Sequence, residues 1–126
     1  GDIDRSYWRS QNTDLERLLV NSLHWMTREA PVSVSGFGMA EVFAWRTQKG
    51  FAVHVLNYAN PEMLRGWFNE MYPLGPQKVI LSLPPGTTVS SVKLLRAGTE
   101  VAFRRSGLTV EFTMPQIRDY EVAAIV

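Results

Sequence analysis

Between Met39 and Ala59 the chain alternates apolar and polar positions twice, with a turn signal between the two runs. Val42, Ala44 and Arg46 fall on one side of the first run, and Glu41, Phe43 and Trp45 on the other. In the second run Phe51, Val53, Val55 and Asn57 alternate with Ala52, His54, Leu56 and Tyr58. A period of two marks a strand. Gln48-Lys49-Gly50 is a short link with a glycine, which suits a β-hairpin. The pattern predicts this hairpin at the centre of a sheet.

Upstream the period changes. Leu15, Leu18, Leu19, Ser22 and Met26 fall at helical spacing, and Leu23 widens the stripe. Thr13 followed by Glu16 has the spacing of a capping box, and Asp14 suits the positive end of the helix dipole. Pro31 bars continuation and biases Ala30 away from helical angles. One helix is therefore predicted over about 14–27, after an irregular polar and aromatic stretch at 1–11. Its stripe must bury against something.

Downstream, short runs are punctuated by Gly and Pro. Val32, Val34 and Phe37 alternate with small polar residues until Gly36-Phe37-Gly38 breaks the strand. Further strands are predicted at 77–83, 89–95, 100–104, 108–114 and 119–126. The clearest is Leu108, Val110, Phe112 and Met114 against Thr109, Glu111 and Thr113, a half-buried antiparallel pattern. The stretch PEMLRGWFNEMYPLGP, 61–76, is predicted to be an ordered excursion with one helical turn near Glu62 to Arg65. Excursions this long and aromatic are often functional, or cap one end of a core. Strands at roughly 8–12-residue spacing argue for a mainly β fold. The expectation is an antiparallel β-sandwich of about seven to eight strands with one N-terminal α-helix. It is divided into a lead-in and amphipathic helix at 1–30 and the sandwich at 31–126.

Composition narrows the function. The 126 residues suit one domain, and 13 Lys plus Arg against 12 Asp plus Glu give a net charge of +1. That balance leaves no footprint for nucleic acid or an anionic membrane. There is no Cys, hence no disulfide framework and no thiolate. No apolar run reaches the ~18 residues of a membrane helix. The first ten residues lack the apolar core of a signal peptide and do not begin with Met, so a piece of a longer chain is expected.

Candidate chemistry is sparse. A metal site needs converging ligands, and His24 and His54 have no third His and no Cys beside them. Glu41, Glu62, Glu70, Glu100, Glu111, Asp119 and Glu121 could supply the two carboxylates of glycoside hydrolysis, but none sits in a motif. No G-x-S-x-G elbow surrounds any serine, and Gly36-Phe37-Gly38 reads as a turn. Asn60 precedes Pro, so it is not a glycosylation acceptor. Aromatics remain: Trp67, Phe68 and Tyr72 in the excursion could stack on sugar faces, or else plug the end of the sandwich. A stand-alone enzyme would need His54 to converge with an acid such as Glu41.

GDIDRSYWRSQNTDLERLLVNSLHW resembles the closing segment of the glutamine-amidotransferase-like domain of beta-galactosidase-like glycoside hydrolases. VHVLNYANP, PLGPQKVILSLPPG and IRDYEVAAIV resemble the small C-terminal β-sandwich that follows it there. In such proteins the acids lie on a separate (β/α) barrel, and the amidotransferase-like domain often mediates trimerisation. The resemblance implies a non-catalytic accessory domain with no catalytic, cofactor or metal residues of its own. Its expected partners are the preceding domains of a parent chain, possible second copies through the helix stripe Leu15, Leu18, Leu19 and Met26, and possible carbohydrate at Trp67, Phe68 and Tyr72. No nucleic acid or membrane partner is expected.

Overall fold

The long central strands of the computed structural model follow the pleat, one face apolar and inward, the other outward. The structure describes residues 3–10, 12–27, 30–59 and 71–126. It divides into two compact units, 1–30 and 31–126.

The first unit is a helix pair, α1 (Ile3–Ser10) and α2 (Thr13–Thr27). α1 replaces the irregular stretch expected at 1–11. Asn12 makes the second helix start where it does: its Oδ1 accepts the amides of Asp14 at 2.8 Å and Leu15 at 3.4 Å. Its carbonyl accepts the Glu16 amide at 3.0 Å. The cap is thus Asn12, one residue before the expected Thr13, because an Asn side chain reaches the orphan amides of the first turn. Ser10 Oγ donates to the Ser6 carbonyl at 2.7 Å and closes α1.

Among the described residues the second unit holds nine strands in two antiparallel sheets. They are β1 (Val32–Gly36), β2 (Ala40–Thr47), β3 (Gly50–Asn57), β4 (Gln77–Ser82), β5 (Val92–Leu94), β6 (Thr99–Glu100), β7 (Phe103–Ser106), β8 (Thr109–Met114) and β9 (Tyr120–Ile125). One sheet runs β1-β4-β8-β7, the other β2-β3-β9-β5-β6. The mainly β sandwich expected from the sequence is present, with nine strands and two helices among the described residues rather than seven to eight and one. The hairpin is off-centre: β3 is interior, and β2 is an edge. The single strand expected at 100–104 is two. β6 belongs to the five-stranded sheet and β7 to the four-stranded one, with Val101 and Ala102 carrying the chain across.

The core lies between the inner faces. Val53 and Val55 of β3, Val79 and Leu81 of β4, Val110, Phe112 and Met114 of β8, and Ala123 and Ile125 of β9 are buried in one cluster. Each of these side chains larger than alanine is worth about 1.5–3 kcal/mol of transfer free energy. Pairing fixes the register: Val79 faces Phe112, and Val53 faces Ala123. A slip of one residue would turn these inward sets out to water.

Gly50 shows how tightly the hairpin meets the last strand. The turn itself is Gln48-Lys49, and Gly50 pairs with Thr47 inside β3. Its φ is +147, and a Cβ there would land on the Ile125 carbonyl. Gly50→Ala is expected to cost roughly 3 kcal/mol, from backbone strain plus the clash. Gly75→Ala, with open space around it, should stay within about 0.5 kcal/mol. Urea unfolding of the two variants checks the difference.

Candidate functional site

The two outer faces differ sharply. On the four-stranded sheet the outward positions are Ser33 and Ser35, Lys78, Ile80 and Ser82, Thr109, Glu111 and Thr113, then Arg104 and Ser106. Ile80 is the one apolar residue among them, and Lys78 Nζ meets Glu111 Oε1 at 3.0 Å. This is an ordinary solvated face.

The five-stranded sheet turns a different surface outward. Rows run across it as Trp45–Ala52–Ala124, Phe43–His54–Val122 and Glu41–Leu56–Tyr120. The next row begins with Met39 beside Tyr58, joined by a Tyr58 amide to Met39 carbonyl bond of 2.9 Å. On these three strands only His54 and Glu41 interrupt the apolar series, and the first row runs on into Lys93 of β5 and Glu100 of β6. Trp45 is 61% exposed, Phe43 43% and Tyr120 44%. With aromatic side chains presenting ~150–250 Å² each, these three rings leave roughly 300 Å² open. Met39 and Tyr58 add to that. The largest apolar patch of an ordinary monomer is ~300–600 Å² and is often functional.

One border of this face is polar and fixed. The Arg96 guanidinium lies over the Tyr120 ring, 4.1 Å from its centroid, and its Nη1 meets Asp119 Oδ2 at 2.8 Å. Desolvation pushes the Asp119 carboxyl up. The amides of Tyr120 and of Asp119 itself, with Arg96, outweigh it and hold the group below the usual range. Asp119 Oδ1 is buried and meets no donor at hydrogen-bonding geometry among the described residues. Behind it Glu121 is buried. Its Oε1 accepts the amides of Arg96 at 2.9 Å and Val122 at 2.8 Å, and its Oε2 that of Ala97 at 3.0 Å. These groups line a cleft of about 210 Å³ together with Gln116 and Arg118. Both carboxylates are committed to structure: Asp119 holds Arg96, and Glu121 holds the β5–β6 turn.

Asn57 pins the same end of the sandwich. It is buried at the tip of β3, and its Nδ2 donates to the carbonyls of Tyr72 at 2.7 Å and Arg118 at 2.6 Å. Its Oδ1 accepts the Ala59 amide at 2.9 Å. Both ends of the excursion are thereby tied to the segment before β9, and Leu74 bridges Ile117 beside them. Gln77, also buried, donates to the Phe37 carbonyl at 3.0 Å. Asn57, Gln77 and Glu121 carried no motif. Their one sequence signal is a polar residue at an inward position of an otherwise apolar strand.

The other expected site residues are dispersed. Trp67 and Phe68, and the helical turn near Glu62 to Arg65, lie outside the described residues. Tyr72 is exposed where the excursion rejoins the sandwich. Leu15 and Leu19 of α2 are half-buried, while Leu18 and Met26 are exposed. Asn21, Ser22, Trp25 and Met26 line a shallow hollow on that helix. His54 sits on the outer face between Phe43 and Val122, with Glu41 diagonal to it, and His24 is exposed on α2. No group of three or more His, Cys, Asp or Glu able to hold a metal occurs among the described residues. A groove of about 610 Å³ beside β7 has Glu111 as the one acid among its lining residues. Glu111 is the residue already paired with Lys78.

No family model and no curated protein matches the sequence. Solved structures do match the fold. Alpha-L-fucosidase isoenzyme 2 from Paenibacillus thiaminolyticus superposes with a TM-score of 0.78 at 24% identity, over 98% of this chain and 19% of that one. A cycloisomaltooligosaccharide glucanotransferase from Paenibacillus sp. superposes with a TM-score of 0.61 at 19% identity, over 74% of this chain and 16% of that one. The chain thus spans less than a fifth of each. At these identities the likeness is one of fold, and the neighbours are glycosidase and transferase chains.

The depressed Asp119 has a pH signature. A folded-state pKa below the unfolded one stabilises the fold above the unfolded value, and that contribution is lost as pH falls through the folded value. Asp119→Asn is therefore expected to lower Tm by a few degrees at neutral pH. Below the ordinary carboxylate range the gap to wild type should close. Paired thermal melts from pH 7 downward check it.

Proposed function

We propose that this chain is a non-catalytic accessory β-sandwich of a glycoside-hydrolase-like protein, and that it works by packing against neighbouring domains. The observation that carries this reading is the apolar outer face of the five-stranded sheet, set against the polar outer face of the other. Covering roughly 300 Å² of it is worth about 7 kcal/mol gross at ~25 cal/mol/Å². The cost of immobilising the partners is then subtracted. Such a face belongs against a domain of the same chain, where tethering keeps that cost low. The fold likeness to fucosidase and glucanotransferase chains, each about five or six times longer than the matched part, supports the context. In this reading residues 1–30 close the preceding, amidotransferase-like domain, and Leu15, Leu18, Leu19 and Met26 form the surface through which they dock. The carboxylates of a hydrolase would lie elsewhere in the parent protein, since Asp119 and Glu121 are tied up in structure.

The test uses the isolated chain and the full-length gene product. The chain alone should release no nitrophenol from aryl fucosides, galactosides or glucosides. In the full-length protein, Leu56→Lys with Val122→Lys should split one cooperative thermal transition into two, while the isolated sandwich keeps its fold. Hydrolysis by the chain alone, or an unsplit transition, would sink the proposal.

A second reading, carbohydrate binding, is supported by Tyr72, 58% exposed at the neck of an excursion that also carries Trp67 and Phe68. Calorimetric titration with oligosaccharides decides it. Binding weakened at least tenfold by Trp67→Ala and Tyr72→Ala supports it, and no heat across neutral and fucosylated glycans removes it.

A further inference from the structure

The sandwich has four sheet edges, and three are blunted. β6 has two residues. β7 has four, with Arg104 and Arg105 among them. β1 has five, bounded by Pro31 before it and ending on Gly36. Short length, charge, Pro and Gly are the devices by which edges avoid pairing with another chain. β2 has none of them along its centre. It runs for eight residues, AEVFAWRT, with no Pro or Gly, and its charges stand near the two ends.

The direction of its free groups can be read from the ladder. Met39 and Tyr58 continue the β2–β3 register by one residue, and the Met39 carbonyl accepts the Tyr58 amide, so the odd-numbered residues of β2 bond inward to β3. In an antiparallel pair, backbone groups alternate sides. Ala40, Val42, Ala44 and Arg46 therefore present their N–H and C=O groups to the open edge, and the described residues include no strand paired there.

We propose that β2 pairs antiparallel with β2 of a second copy about a two-fold axis through Ala44, joining two five-stranded sheets into one of ten. The axis makes Ala44 face Ala44 of the partner subunit, and Val42 face Arg46 of the partner subunit, all with edge-directed backbone groups. Same-face pairing allows only alternate registers, and this one satisfies the side chains. Phe43 falls opposite Trp45 of the partner subunit, and Trp45 opposite Phe43 of the partner subunit. These are non-hydrogen-bonded positions, where side chains approach most closely. Glu41 falls opposite Thr47 of the partner subunit, with Lys49 of the partner subunit on the adjoining turn, so unlike charges meet at both ends. The neighbouring register, centred on Phe43, sets Glu41 against Trp45 of the partner subunit and loses both features. Trp45, the most open ring of the outer face, and Phe43 are thus the ones the second copy covers. Leu56, Tyr120 and Val122 stay available to another domain, so the open ring area is divided, with the larger share under the second copy and the remainder under the neighbouring domain.

The chain has no Cys, so single-cysteine variants report the axis directly. Sedimentation of the 126-residue chain should give a dimer. Ala44→Cys should form an intersubunit disulfide under mild oxidation, and Val42→Cys should not. Ala44→Pro, which removes only an edge-directed N–H, and Trp45→Lys should each give a monomer with unchanged far-ultraviolet circular dichroism. A monomeric wild type at the highest soluble concentration would overturn the proposal. So would a dimer that resists both Trp45→Lys and Ala44→Pro, or one lost in Leu18→Glu alone, which would place the contact on α2.

Discussion

A sheet has two faces, and a sandwich core can take only one face from each sheet. That constraint organises this protein. The four-stranded sheet meets it in the usual way, with Ser, Thr, Lys and Glu outward. The five-stranded sheet does not. Its inner face fills the core with Val53, Val55, Ala123 and Ile125. Its outer face repeats the apolar pattern with Phe43, Leu56, Tyr120 and Val122. A strand apolar on both sides is a strand meant to be covered twice. The proposed accessory role rests on that second covering more than on any cluster of reactive groups.

The buried polar side chains serve the same arrangement. Glu121 holds the amides after β5 and so fixes Arg96 beside Tyr120, at the border of the apolar face. Asn57 ties both ends of the excursion to the segment entering β9. Each sits at an inward position where an apolar side chain would pack more simply, and each satisfies backbone groups that a strand end leaves open. Removing either would leave several buried amides or carbonyls without partners, the costlier side of a hydrogen bond.

Much of the fold was legible because period-two alternation is a direct image of the pleat. The sets Val53/Val55/Asn57 and Val110/Phe112/Met114 are the inward sets of β3 and β8. What alternation cannot carry is sheet membership. Glu100 and Phe103 read as one strand, yet the chain crosses between sheets at Val101 and Ala102, which carry no Gly or Pro to mark it. Nor can it tell an edge from a centre, so β2 was expected inside the sheet. The N-cap was misplaced by one residue because Asn12 and Thr13 are both good caps and only geometry separates them. The apolar outer face was visible as Phe43, Trp45, Leu56 and Tyr58. Its significance was not, because the sequence shows two alternating sets without saying that both are apolar on adjacent strands of one sheet. Candidate chemistry failed for a related reason: Asp119 and Glu121 look like free acids until Arg96 is seen on the one and the turn amides on the other.

The central claim is that the outer face of the five-stranded sheet is an interdomain surface. Hydroxyl-radical footprinting of the full-length gene product against the isolated chain measures it directly, side chain by side chain. Strong labelling of Leu56, Tyr120 and Val122 in the isolated chain, with protection in the full-length protein, is the predicted result. Equal labelling of these residues in both would contradict the account.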